Sequence, residues 1–99
     1  KKDFQDSLEM LLNRESSAFM ATWDLLPVQQ KQVLIALAQA GRQEQILASD
    51  FREEYNLGAA SSVQRTVESL LDKDLIDKTN GAYSIIDVIF RKWIITHNA

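Results

Sequence analysis

Cysteine is absent from the 99 residues, which excludes disulfides and thiolate zinc sites outright. Histidine occurs once, at His97 near the end of the chain, so it has no second imidazole for a metal and reads as a plain exposed side chain. Glycine occurs three times, at Gly41, Gly58 and Gly81, each isolated, so no phosphate-cradling loop is present. Proline occurs once, at Pro27. No apolar run approaches the roughly 18–20 residues that a membrane span needs. The longest, 33–38 and 85–90, are core-sized. No secretory pattern opens the chain, because Lys1-Lys2-Asp3-Phe4 leads straight into a charged amphipathic stretch. The expected location is cytoplasmic, with no membrane contact. A basic excess is missing as well. Fourteen acidic against 11 basic residues give a net charge of −3, the wrong sign for a strong, stand-alone DNA binder.

What remains is ordinary for one folded domain: 45% apolar and 25% charged residues. A core this small supports a net stability of roughly 5–10 kcal/mol. The first residue is lysine, which predicts a segment of a longer protein.

The spacing of apolar residues predicts mainly helical structure. Phe4, Leu8, Leu11, Leu12, Phe19, Trp23 and Leu26 recur every three, four or seven residues, predicting one long helix over 3–25, with Ser16-Ser17 marking a bend. Pro27 stops it and then serves in the first turn of a second helix over 27–40. Val28, Val33, Leu34, Leu37 and Ala38 form the expected buried stripe, with Gln29, Gln30, Lys31 and Gln32 outside it and Gly41 as C-cap. Residues 42–48 are a polar connection in which Ile46-Leu47 pairs briefly with a later strand. Ser49 is the expected N-cap of a short helix over 50–56, with Arg52-Glu53 near a capping-box position and Phe51 and Tyr55 turned inward. Asn56-Leu57-Gly58 supplies a turn, and a helix over 60–73 buries Val63, Val67, Leu70 and Leu71. Residues 75–79 and 82–86 are β-like, and Asn80-Gly81 between them is a strong hairpin signal. Asp87 caps a last helix.

Helix, turn, helix and hairpin in that order predict a winged helix-turn-helix: mainly α, with a long N-terminal helix, a two-stranded wing and a C-terminal helix. Residues 1–25 are the linking helix and 26–99 the winged-helix domain. If the second helix of the motif enters a DNA major groove, its N-terminal exposed residues arrive first. Those are Ser61, Ser62, Gln64 and Arg65. Arg65 suits guanine, Gln64 suits adenine, the serines suit phosphate, and Lys78 near the hairpin tip suits a flanking phosphate. The competing reading is a solvated polar face. Residues 44–78 hold Glu44, Asp50, Glu53, Glu54, Glu68, Asp72, Asp74 and Asp77 against Arg52, Arg65, Lys73 and Lys78, a balance of −4. Only weak binding of double-stranded DNA is therefore expected.

No catalytic site emerges. Ser61-Ser62 lacks a histidine or lysine base within reach, and Asp72, Asp74 and Asp77 lack the glycine and terminal glutamate of a calcium loop. Trp23 and Trp93 read as core anchors. The chain is expected to be no enzyme and to hold no cofactor or metal.

Four stretches resemble a known family: 26–38 (LPVQQKQVLIALA), Leu57-Gly58 with 61–65 (SSVQR), 70–76 (LLDKDLI) and 83–93 (YSIIDVIFRKW). Together they look like the C-terminal winged helix of archaeal-type AAA+ ATPases found in archaea and bacteria. The aspartate followed by Phe-Arg-x-Trp at the last helix is the most telling part. Val88 stands where that family commonly has proline, which alters the start of the helix. The resemblance implies a non-catalytic appendage to a P-loop ATPase module and helical lid, contacting DNA or its own ATPase module. ATP and Mg would belong to that parent. The alternatives are a stand-alone MarR-like transcriptional regulator that dimerises through its long first helix, or a protein-interaction winged helix without DNA binding, whose partners meet the helix Phe90–Ile95 or the apolar side of residues 4–26.

Overall fold

The computed structural model describes the backbone of residues 2–98 and the side chains of residues 7, 10 and 14–98. Seven elements follow in order: α1 (Lys2–Asp24), α2 (Val28–Ala40), α3 (Ser49–Glu54), α4 (Ala60–Asp72), β1 (Ile76–Thr79), β2 (Ala82–Ile85) and α5 (Val88–His97). This is a winged helix-turn-helix, mainly α, with the expected long first helix, two-stranded wing and terminal helix. No described helix is long and apolar enough to cross a membrane.

Three helices build the centre because their apolar residues fall on one side at helical spacing. Val33, Leu34 and Leu37 of α2 meet Val63, Val67 and Leu70 of α4 and Trp93 and Ile94 of α5, all essentially sealed from solvent. Phe19 and Trp23 fasten α1 onto α5, with Phe19 5.0 Å from Phe90 and Trp23 edge-on to Trp93 at 6.0 Å between ring centroids. Edge-on and tilted rings suit the aromatic quadrupole. Helix α1 runs unbroken through Ser16-Ser17. The Ser16 Oγ accepts the Trp93 indole N–H at 3.2 Å. Of the expected α1 stripe, Phe19, Trp23 and Leu26 are buried, while the side chains of Phe4, Leu8, Leu11 and Leu12 lie outside the described residues.

The wing is an antiparallel pair in the register Ile76↔Ile85 to Thr79↔Ala82. Asn80 (φ 53°) and Gly81 (φ 79°) both take the positive φ that a two-residue hairpin turn requires. Residues 42–48 do pair with this wing, but through Gln43, whose N–H and C=O exchange bonds of 2.9 and 2.8 Å with Tyr83. Ile46 instead buries its side chain in the core, and Leu47 is turned out. The contact is a single bridge at the residue that follows the α2 cap by two positions, before the apolar pair.

Several local expectations are corrected. Pro27 is the N-cap of α2 and not a first-turn residue (φ −59°, ψ 154°). Val28 is 69% exposed, because the stripe that faces α4 and α5 begins at Gln30 and Val33. Gln30 is itself buried, its Oε1 accepting from Lys73 Nζ at 2.7 Å, a polar tie between α2 and the end of α4. Ser49 lies inside α3; Ala48 is the N-cap and offers no side-chain bond, so no capping box forms. Leu71 is only partly buried, and Thr66 is buried in its place, its hydroxyl donating to the Ser62 carbonyl at 2.9 Å. His97 is exposed as expected, yet it belongs to α5 and stacks on Trp93 at 4.4 Å. Gly41 and Asp87 cap their helices as expected; the Asp87 carboxylate accepts from the N–H groups of Ile89 and Phe90.

Candidate functional site

Two features hold the helix-turn-helix in shape. Arg52 donates from Nε to the Leu47 carbonyl and from Nη1 to the Gly58 carbonyl, both at 2.9 Å, and so clips together the chain before α3 and the turn after it. Both α3 and α4 end in paired backbone bonds that run back into the last turn. Leu57 N–H reaches the Arg52 carbonyl at 2.8 Å and Asn56 N–H reaches Glu53. Leu75 N–H reaches the Leu70 carbonyl at 3.1 Å and Asp74 N–H reaches Leu71. This arrangement needs a left-handed residue, supplied by Asn56 (φ 55°) and Asp74 (φ 59°). Asparagine and aspartate tolerate that region better than other side-chain-bearing residues.

Helix α4 buries Val63, Thr66, Val67 and Leu70 and turns Ser61, Arg65, Glu68 and Asp72 to solvent. Four of the expected contact residues, Ser61, Ser62, Gln64 and Arg65, thus share the N-terminal turns of one helix. Ser61 and Arg65 are exposed, whereas Ser62 and Gln64 are half-buried. The helix start is capped by Ala59 without a side-chain bond, leaving first-turn N–H groups to water or a ligand. Lys78 lies on β1, a separate element, with Nζ 5.3 Å from the centre of the Tyr83 ring. Along the outer stripe of α4 one cation is followed by two carboxylates.

The sequence did not reveal how the other cations are used. Arg42 donates to the Thr79 carbonyl in the wing at 2.7 Å, and Arg91 donates to the Ala38 carbonyl at 2.9 Å. Arg52 clips the turn, and Lys73 is tied to Gln30. Each directs donors at its own fold. Nothing in the local sequence marks these bonds, since their partners lie 5 to 53 residues away. Among the described residues no side-chain cluster suited to a metal ion occurs.

A second surface joins the apolar side of residues 4–26 and Phe90, which the sequence offered to a protein partner, to elements that it did not connect with them. Two adjoining cavities of about 230 and 260 Å³ form a trough beside the α4–β1 connection, sharing Thr22 and Leu75. Phe19 from α1, Phe90 from α5 and Ile86 from the β2–α5 junction line one half, with Asp74 and Asp87. Leu25, Leu26 and Lys73 line the other. Leu25 is 84% exposed and Ile86 50% exposed, so apolar surface continues from the trough to solvent.

A family model described as "probable winged helix domain" matches residues 17–96. The chain belongs to that family. The matched winged-helix span begins within α1, takes in Phe19 and Trp23, and closes near the end of α5. No curated protein and no solved structure matches the chain. The surfaces that this fold leaves open include the outer stripe of α4, the wing and the trough.

Proposed function

We propose that this winged-helix domain is a protein-contact module, the accessory C-terminal domain of an AAA+ ATPase, and that it bears on the ATPase module and not on a DNA groove. The observation that carries the reading is the disposition of the cations. Groove readers anchor on phosphates with arginine and lysine, and each contact adds affinity and salt dependence. Here Arg42, Arg52, Lys73 and Arg91 each direct a donor to an acceptor of the same domain, and the outer stripe of α4 carries Arg65 against Glu68 and Asp72. The assignment to an ATPase parent rests on the resemblance of 26–38, 57–65, 70–76 and 83–93. In this reading residues 1–25 link the domain to the parent, 26–99 are the winged-helix domain, and ATP and Mg bind the parent alone. This chain contributes contacts and no chemistry.

DNA contact is the second reading, favoured by one observation: Arg65 and Lys78 make no hydrogen bond among the described residues, and both are exposed, one on α4 and one on the wing. Fluorescence anisotropy of a labelled duplex, titrated with the domain across a salt series, separates the two. The protein-contact reading expects no binding at low salt. Micromolar binding with a steep salt slope, lost in Arg65→Ala, would overturn it.

A further inference from the structure

We infer that the trough between α1, the α4–β1 connection and the start of α5 is the docking site for a partner segment that is amphipathic and basic. The inference rests on the protein-contact reading and names the surface and the chemistry it selects. The floor is apolar, with Phe19, Leu75 and Phe90 beneath and Ile86 and Leu25 at the lips. The first cavity, about 230 Å³, is large enough for a bulky apolar side chain. Large exposed apolar surface joined to a groove marks an interaction site.

Charge decides the occupant. Asp74 and Asp87 line the first cavity. Asp87 accepts two backbone N–H groups, and Asp74 makes no side-chain hydrogen bond among the described residues. The one cation on the trough, Lys73, lines the other cavity and is held by Gln30. A segment that places a leucine or phenylalanine over Phe19 and Phe90 therefore gains by carrying lysine or arginine toward Asp74 and Asp87. A second copy of this domain, itself at −3, adds acid to acid and fits poorly. An anionic membrane surface is disfavoured for the same reason.

The test uses the ¹⁵N-labelled domain and three probes: an amphipathic helical peptide of leucine and lysine, its twin with glutamate at every lysine, and a DNA duplex. The lysine peptide is expected to shift the amides of Thr22, Leu75 and Ile86 and to bind at least about tenfold more tightly than the glutamate twin. Leu25→Ser and Ile86→Ser, at exposed positions that leave the spectrum dispersed, are each expected to weaken it about tenfold. Equal binding of the two peptides, shifts confined to other surfaces, or indifference to both substitutions would overturn the docking site. The duplex arm is independent: shifts around Arg65 on adding DNA would overturn the protein-contact reading whatever the peptides do.

Discussion

Replacing Asp87 with alanine should loosen the last helix and, with it, the whole molecule. The carboxylate Oδ1 accepts from Ile89 N–H at 2.9 Å and from Phe90 N–H at 3.2 Å, two of the amides that a helix start leaves without partners. Loss of such a cap costs roughly 0.5–2 kcal/mol, and the negative charge at a helix N-terminus adds about 0.3–1 kcal/mol. Asp87 is exposed, so water replaces part of what is lost, and the expected loss is about 1–1.5 kcal/mol. The effect spreads because α5 carries Phe90, Trp93 and Ile94 into the core and holds α1 through Phe19 and Trp23. For a domain of this size the midpoint of thermal unfolding should fall by roughly 5–10 °C. In urea the midpoint should move while the slope stays, since the surface exposed on unfolding is unchanged. Asp87→Asn keeps an acceptor oxygen and should lose about 0.5 kcal/mol or less. An alanine variant as stable as the parent domain, or an asparagine variant as damaged as the alanine one, would refute the capping argument.

Other perturbations follow from the same geometry. Leu34, sealed in the core, should lose about 2–5 kcal/mol on truncation to alanine in chemical denaturation, whereas Val28→Ser, at an exposed site on the same helix, should change stability by less than about 0.5 kcal/mol. A double-mutant cycle on Gln30→Met and Lys73→Met should show a coupling of about 1 kcal/mol, because removing one partner strands the other; a coupling near zero would deny the tie between α2 and α4. Gly81→Ala should destabilise by about 1 kcal/mol in the same assay, not through a clash, since a Cβ there meets nothing within 4 Å, but through its φ of 79°.

Local signals wrote much of this fold into the sequence. Asn80-Gly81 requires a tight hairpin, Asp87 precedes an apolar run as a cap, and the spacing of Phe19, Trp23 and Leu26 marks the buried side of α1. Each depends on residues close in the chain. What escaped depends on distant partners. Gln30 reads as a surface residue until Lys73, 43 residues on, is placed against it. Gln43 forms a single bridge because Tyr83 offers a free edge, and Val28 is exposed because packing fixes where the α2 stripe begins. The outer residues of α4 were legible as a surface, since helical periodicity assigns faces. Their neighbourhood was not, because the bonds of Arg42 and Arg91 reach partners 37 and 53 residues away. The trough was legible only in part: the apolar side of residues 4–26 and the helix of residues 90–95 stood out, but the α4–β1 connection and the β2–α5 junction meet them only in the fold.

The most direct measurement is photocrosslinking in the full-length protein, with benzoylphenylalanine placed at Ile86 on the trough or at Arg65 on α4. The account predicts protein adducts from position 86 and none to DNA from position 65. DNA adducts from position 65, with position 86 unreactive, would contradict it.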